Sequence, residues 1–117
     1  MTEIENAIEH SVAREFTVTP GPRFISQGPF SGEEFRKTLL EPWFLEARAR
    51  QAKLLIDLDG GYGYAPSFLE EAFGGLAREY GIKAVLNTVG FKSTEEPLLC
   101  ERLTKYINES PAKRVSG

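Results

Sequence analysis

The residues able to do chemistry in this 117-residue chain gather around one stretch, Leu54 to Ile82. Asp57 and Asp59 stand two apart at the end of an apolar run, so on a strand they point the same way, as paired carboxylates for acid–base work must. Neighbouring acids at a strand end also form turns and cap helices, and that reading is preferred. Gly60, Gly61 and Gly63 come next, and G-x-G after a strand is half of a phosphate-cradling fingerprint. The other half is missing: Pro66 stands where a third glycine should bring helix and strand together, and it removes an N–H that an anion would need. Turn chemistry therefore explains the glycines more simply. A small-molecule or nucleotide-binding domain using the Gly-rich turn at 60–66 stays as the alternative function. Tyr62 and Tyr64 either cover the sheet end or anchor a partner.

Ser67 has two readings. Ser67-Phe68-Leu69-Glu70 fits a capping box. A regulatory hydroxyl is the other reading, with a phosphate favoured by the helix dipole and disfavoured by Glu70 and Glu71. His10 and Cys100, each the sole residue of its type, are expected to be structural, because neither a metal-ligand spacing nor a Cys-His pair is built into the sequence. No catalytic residue, metal or cofactor is expected, and the chain reads as a non-enzyme.

The elements that must position these groups emerge from periodicity. Lys53 to Leu58 reads as a strand buried on both faces. A helix from Pro66 to Tyr80 would bury Phe68, Leu69, Ala72, Phe73, Leu76 and Tyr80 on one arc and leave Ser67, Glu71, Gly74 and Arg78 as a narrow outer stripe. Gly74 and Gly75 in succession should cost about 1 kcal/mol each against alanine, so something should approach them closely. Gly81 caps this helix, and Ile82 to Asn87 reads as a second strand, completing a right-handed βαβ unit.

Upstream, alternation from Ala7 to Val18 predicts a first strand, the rival being a short helix through Ile4, Ile8 and Val12. Thr19 to Pro22 makes a turn and Arg23 to Ser26 a brief second strand, a hairpin partner for the first. Ser31 to Glu34 has capping-box spacing, with Phe30 and Phe35 as a hydrophobic staple. Phe35, Leu39 and Leu40 form the stripe of that helix; Pro42 should break or kink it near Glu41, and Trp43, Phe44, Leu45 and Ala47 of a second piece, Trp43 to Gln51, supply core. Val89 to Lys92 reads as a loop, Ser93 to Glu96 as another capping box, and Leu98, Leu99, Leu103, Tyr106 and Ile107 as the apolar face of a last helix. Residues 1–109 thus form one domain and 110–117 a flexible polar tail.

Composition sets the outer limits. The net charge of −3 and scattered Lys and Arg argue against a nucleic-acid partner or an anionic membrane surface. One cysteine gives no internal disulfide, the first ten residues have no signal-peptide pattern, and no segment approaches the ~20 apolar residues of a membrane span, so a cytoplasmic protein is expected.

The phrases GPFSGEEFR at 28–36 and IDLDGGYGYAPSFLEEAFGGLAREYG at 56–81 resemble the bacterial STAS-like family of unknown function, related to the STAS domains of anti-sigma-factor antagonists. The resemblance runs from about Phe16 to Ile107. It implies an α/β layer with a mixed sheet, here about four strands, two N-terminal and then a parallel βαβ pair, with helices largely on one face. In the antagonists a serine at the start of the helix after the strand is phosphorylated by a histidine-kinase-like ATPase, and the dephosphorylated form captures that kinase. That serine falls on Ser67, although Ala65 and Pro66 replace the usual Asp-Ser pair and Phe68 the following glycine. The expectation is a signalling module that binds a protein partner through Tyr62, Tyr64, Ser67, Glu71, Gly74 and Arg78. A homodimer is the blander option.

Overall fold

The computed structural model describes residues 6–115; the first five residues of the expected domain and the last two of the expected tail lie outside the described residues. Three strands, β1 (Ala7–Ser11), β2 (Lys53–Asp57) and β3 (Val89–Lys92), form one sheet in the order β1-β2-β3, and both pairings are parallel. The mixed, roughly four-stranded sheet expected from the resemblance is therefore corrected to a three-stranded parallel one among the described residues. β2 is central, with Leu54 opposite Ile8 and Val89 and Ile56 opposite His10 and Phe91. Leu54 and Ile56 are fully buried while Lys53 is exposed and Leu55 half-buried, so only one face carries the core. Both-face burial, expected from the unbroken apolar run, does not hold because the helices cover one side only.

The N-terminal hairpin is also corrected. β1 stops at Ser11, whose hydroxyl accepts from Arg14 N–H and caps the one-turn helix α1 (Val12–Glu15). A cap at Ser11 turns Val12 into the core, where an extended strand to Val18 would have carried it past the sheet. Arg23 to Ser26 is no strand: Phe24 precedes a single 3₁₀ turn at Ile25–Gln27, and β1 pairs with β2 instead.

Helix α2 (Gly32–Phe35) begins on Ser31, whose hydroxyl accepts from Glu34 N–H at 2.9 Å as expected. Glu34 reaches back to Phe30 N–H, one residue further out than a capping box. The Phe16 ring stands beside both Phe30 and Phe35, 5.4 and 5.3 Å away, and links the two residues expected to staple directly. No break occurs at Pro42. A π turn at Arg36–Leu40, with Glu41 N–H donating to the Arg36 carbonyl five residues back, leads into α3 (Glu41–Ala49) with helical backbone at Leu40. The wide turn falls before the proline, whose missing N–H then sits at the start of α3 where it costs little. Leu45, expected in the core, is exposed, while Trp43, Phe44 and Ala47 are buried.

The second crossover is α4 (Pro66–Leu69), a π turn at Glu70–Gly74, and α5 (Gly75–Tyr80), one continuous helical run. Gly81, at φ +99, ends it as expected and donates its N–H to Ala77. The next two elements reverse the expectation: Ile82–Thr88 is a helix, α6, and the supposed loop Val89–Lys92 is β3. Ile82 and Val85 fit a helical period as well as Ile82, Ala84 and Leu86 fit an alternating one, and short apolar runs do not distinguish the two. The last helix, α7 (Leu98–Val115), buries Leu99, Leu103 and Ile107 but leaves Leu98 exposed. It also runs through the start of the expected tail, with Ser110 fully buried.

Candidate functional site

The carboxyl ends of the three parallel strands converge on the loops after Ser11, Asp57 and Lys92, the customary ligand end of an open α/β sheet. The acids there are occupied by the fold. Asp57 Oδ1 accepts from Asp59 N–H at 3.0 Å, a local turn. Asp59 accepts from Glu95 N–H at 2.9 Å on one oxygen and from Thr94 N–H and hydroxyl at 2.9 and 2.7 Å on the other. These bonds, the Glu95 N–H first, hold the Asp59 carboxyl below the usual carboxylate range. The turn-forming role expected for the pair is what the structure shows. Ser93 to Glu96, expected as a capping box, is instead the strap that clasps this loop.

The glycine turn is closed to anions by the same strap. Gly60 N–H donates to Glu95 Oε1 at 3.0 Å, so a backbone donor that could face a phosphate already faces a carboxylate. Gly60 at φ +98 and Gly63 at φ +122 supply the left-handed backbone that the turn requires. A cleft of about 200 Å³ lies beside it, lined by Asp59, Glu95, Glu96, Tyr62 and Tyr64 among others. On the other side of Asp59, about 360 Å³ opens between Ser11, Arg14, Val18, Asp57 and Glu95. Carboxylates dominate both.

The two tyrosines part company. Tyr62 is 86% exposed, its N–H tied to the Val18 carbonyl at 2.8 Å, so an aromatic ring is presented on a fixed backbone. Tyr64 turns inward: its hydroxyl donates to the Leu58 carbonyl, its ring packs on Phe68, and burial together with the Asp57, Asp59 and Glu95 charges raises its pKa. Ser67 sits half-buried in the first helical turn after Pro66, and no side-chain cap forms, since Ala65 holds the cap position. The capping-box reading of Ser67 is therefore corrected.

The expected outer stripe beyond Ser67 is not a solvent face. Glu70 and Glu71 are 4% and 7% exposed. Arg23 and Arg78 each bond Glu70 at 2.6 Å, and Arg36 spans Glu71 and Glu41 at 2.9 Å each. Arg36 Nε also donates to the Glu71 carbonyl. Burial alone would discourage the Arg36 charge; the Glu71 and Glu41 carboxylates outweigh it and raise its pKa. The glycine pair now has its cause: a Cβ on Gly75 would lie 2.6 Å from Arg36 Nε, and one on Gly74 2.7 Å from a Glu70 carboxylate oxygen and 3.2 Å from Ser110 Cβ. Gly74 and Arg78 thus belong to an internal ion-pair layer. Arg23 and Arg36 were not anticipated; the only sequence signal for them was the demand of Gly74-Gly75 for a close neighbour.

Both quoted phrases, far apart in sequence, meet here. Gly32 lets the backbone of α2 reach Phe68, where a Cβ would come within 2.5 Å of its carbonyl oxygen; Phe35 stacks on Phe68 at 5.9 Å; Arg36 clasps Glu71. Residues 31–99, more than half the chain, taking in the second phrase and the first from Ser31 on, match the family model described as "STAS-like domain of unknown function (DUF4325)". The chain belongs to that family. No curated protein and no solved structure matches it. Within this STAS-like domain His10 and Cys100 lie at opposite edges of the sheet, by β1 and by β3. His10 stacks on Trp43 at 4.1 Å with Nδ1 2.9 Å from Glu15, while the Cys100 thiol faces the Phe91 carbonyl on β3.

Proposed function

We propose that this STAS-like domain is a non-enzymatic, cytosolic regulatory module that docks another protein at the carboxyl rim of its sheet. The observation carrying the reading is the contrast at that rim: Asp57, Asp59, Glu95 and Gly60 N–H are engaged with one another, whereas Tyr62 stands 86% exposed on a backbone tied to Val18. A large, pre-ordered aromatic with few competing bonds suits a hot spot. Ser67, one turn away at the start of a long helical run, is the candidate switch, and a phosphate there meets the positive helix end.

The partner class that the resemblance supports is a histidine-kinase-like ATPase. The test incubates the domain with such an ATPase encoded beside its gene, with ATP, and compares wild type with Tyr62→Ala and Ser67→Ala. Expected are phosphate on Ser67 by mass spectrometry and binding weakened at least about tenfold by Tyr62→Ala, the scale of a hot-spot truncation. Equal binding by all forms rejects the rim as the docking surface, and an unmodified Ser67 rejects the switch. Glu71, Gly74 and Arg78 drop out as contact candidates, since a partner would first have to open the ion-pair layer.

A further inference from the structure

At the opposite end of the sheet a second cleft carries the reverse charge. It measures about 360 Å³ and is lined by Asn6, Arg48, Gln51, Ala52, Lys53, Asn87 and Thr88, residues that precede or open a strand or lie near the end of the helix before one. Among the described residues no Asp or Glu lines it, although the chain carries a net −3. Thr88 is 6% exposed, lines the cleft, and its hydroxyl makes no hydrogen bond to any described residue. That hydroxyl is not sealed in the interior, where His10 Nε2 is the unpartnered buried side-chain atom among the described residues, so it stays available to the cleft. Arg48 forms no ion pair with a described residue; its guanidinium lies 5.7 Å from the Phe44 ring centre and the residue is exposed. Lys53 Nζ donates to the Asn87 carbonyl at 2.6 Å, which uses one of its three donors.

Cations at helix C-termini have a structural use, because the ends of α3 and α6 point here and each contributes roughly −0.5 charge. Two full positive charges exceed that by about one unit, so the cleft is electropositive after the dipoles are counted. We infer that it binds a small molecule carrying a phosphate or carboxylate group, held by Arg48 and Lys53 with the Thr88 hydroxyl donating a hydrogen bond. Its volume is at the low end of ligand pockets, which run from about 300 to 1,000 Å³, and it admits a charged head with a short polar scaffold that the Gln51 and Asn87 amides reach. The site is separate from the docking rim and stands or falls independently of it.

The test is an amide NMR titration with inorganic phosphate in one arm and succinate in the other, each against sodium chloride at matched ionic strength. Saturable shifts are expected at Gln51, Lys53, Asn87 and Thr88 with at least one of the two anions, and the arm that saturates names the head group. Arg48→Gln and Thr88→Val should each weaken that anion about tenfold or more, the scale of a hydrogen bond to a charged group. Arg48 is exposed, so its variant keeps the fold whatever Thr88→Val does. Shifts that track ionic strength alone, or an Arg48→Gln protein that titrates like wild type, overturn the assignment.

Discussion

Asp57 with Asp59 and Glu70 with Glu71 are neighbouring acid pairs that look alike in the sequence, yet the fold uses them oppositely. The aspartates stay near solvent and accept backbone N–H groups, which fixes a loop at the sheet's rim. The glutamates are carried indoors by the helix after β2 and neutralised by Arg23, Arg36 and Arg78 from three different segments. Hydrogen bonds to exposed carboxylates order a surface at modest stability. Buried charges matched by opposite ones make a layer that tolerates no vacancy, because removing one partner strands the other in low dielectric. The rim is thus the surface proposed for docking, and the helix body is where the molecule holds itself together.

The sharpest way to break this contrast is Arg36→Met. It leaves Glu71 and Glu41 without their shared guanidinium and should cost about 3–5 kcal/mol in urea unfolding; a loss below about 1 kcal/mol would put the layer on a par with surface pairs. Gly75→Ala should come next. Alanine's helical advantage of about 1 kcal/mol is outweighed by a contact 2.6 Å from Arg36 Nε, giving a net loss of roughly 1–2 kcal/mol by the same assay.

Two serines with the same apparent capping box then separate. Ser31→Ala should cost about 1 kcal/mol because its hydroxyl caps α2, whereas Ser67→Ala should change stability by less than about 0.5 kcal/mol because no cap bond is lost. The smallest effect is local. The Asp59 carboxyl lies below its ordinary 3.8 in the folded state, so the clasp is fully formed above that value and is lost as pH falls through the lower folded one. Thr94 and Glu95 amide shifts should accordingly move on acidification below about pH 4. In Asp59→Asn they should already differ at neutral pH and respond less to acid.

The legible parts of the chain were those where local chemistry decides. Ser31 and its acids announce a helix start, Asp57 and Asp59 a turn, and Gly81 a helix end, each within a few residues of what it bonds, while Leu54 to Leu58 announces a strand by its unbroken apolar run. The unreadable parts depend on partners distant in sequence. Ile82 to Asn87 fits two periods, and the sheet's need for a parallel neighbour to β2 assigned the strand to Val89–Lys92 instead. The outer stripe of the second crossover looked polar because Glu71 and Arg78 are charged, and nothing nearby reveals that Arg23 and Arg36 cover it. Only Gly74 and Gly75 hinted at the crowding, without naming what crowds them. At the site, the turn is legible, while the strap from Ser93 to Glu96 has the spacing of a helix cap and its true acceptor, Asp59, lies 35 residues from Thr94.

The division between an open rim and a sealed helix body is tested most directly by amide hydrogen exchange of the domain alone and in the presence of the histidine-kinase-like ATPase. The account expects slowed exchange confined to residues 60–67, with 70–78 already protected in the free protein and unchanged on binding. Protection gained at 70–78 while 60–67 exchange as before would contradict it.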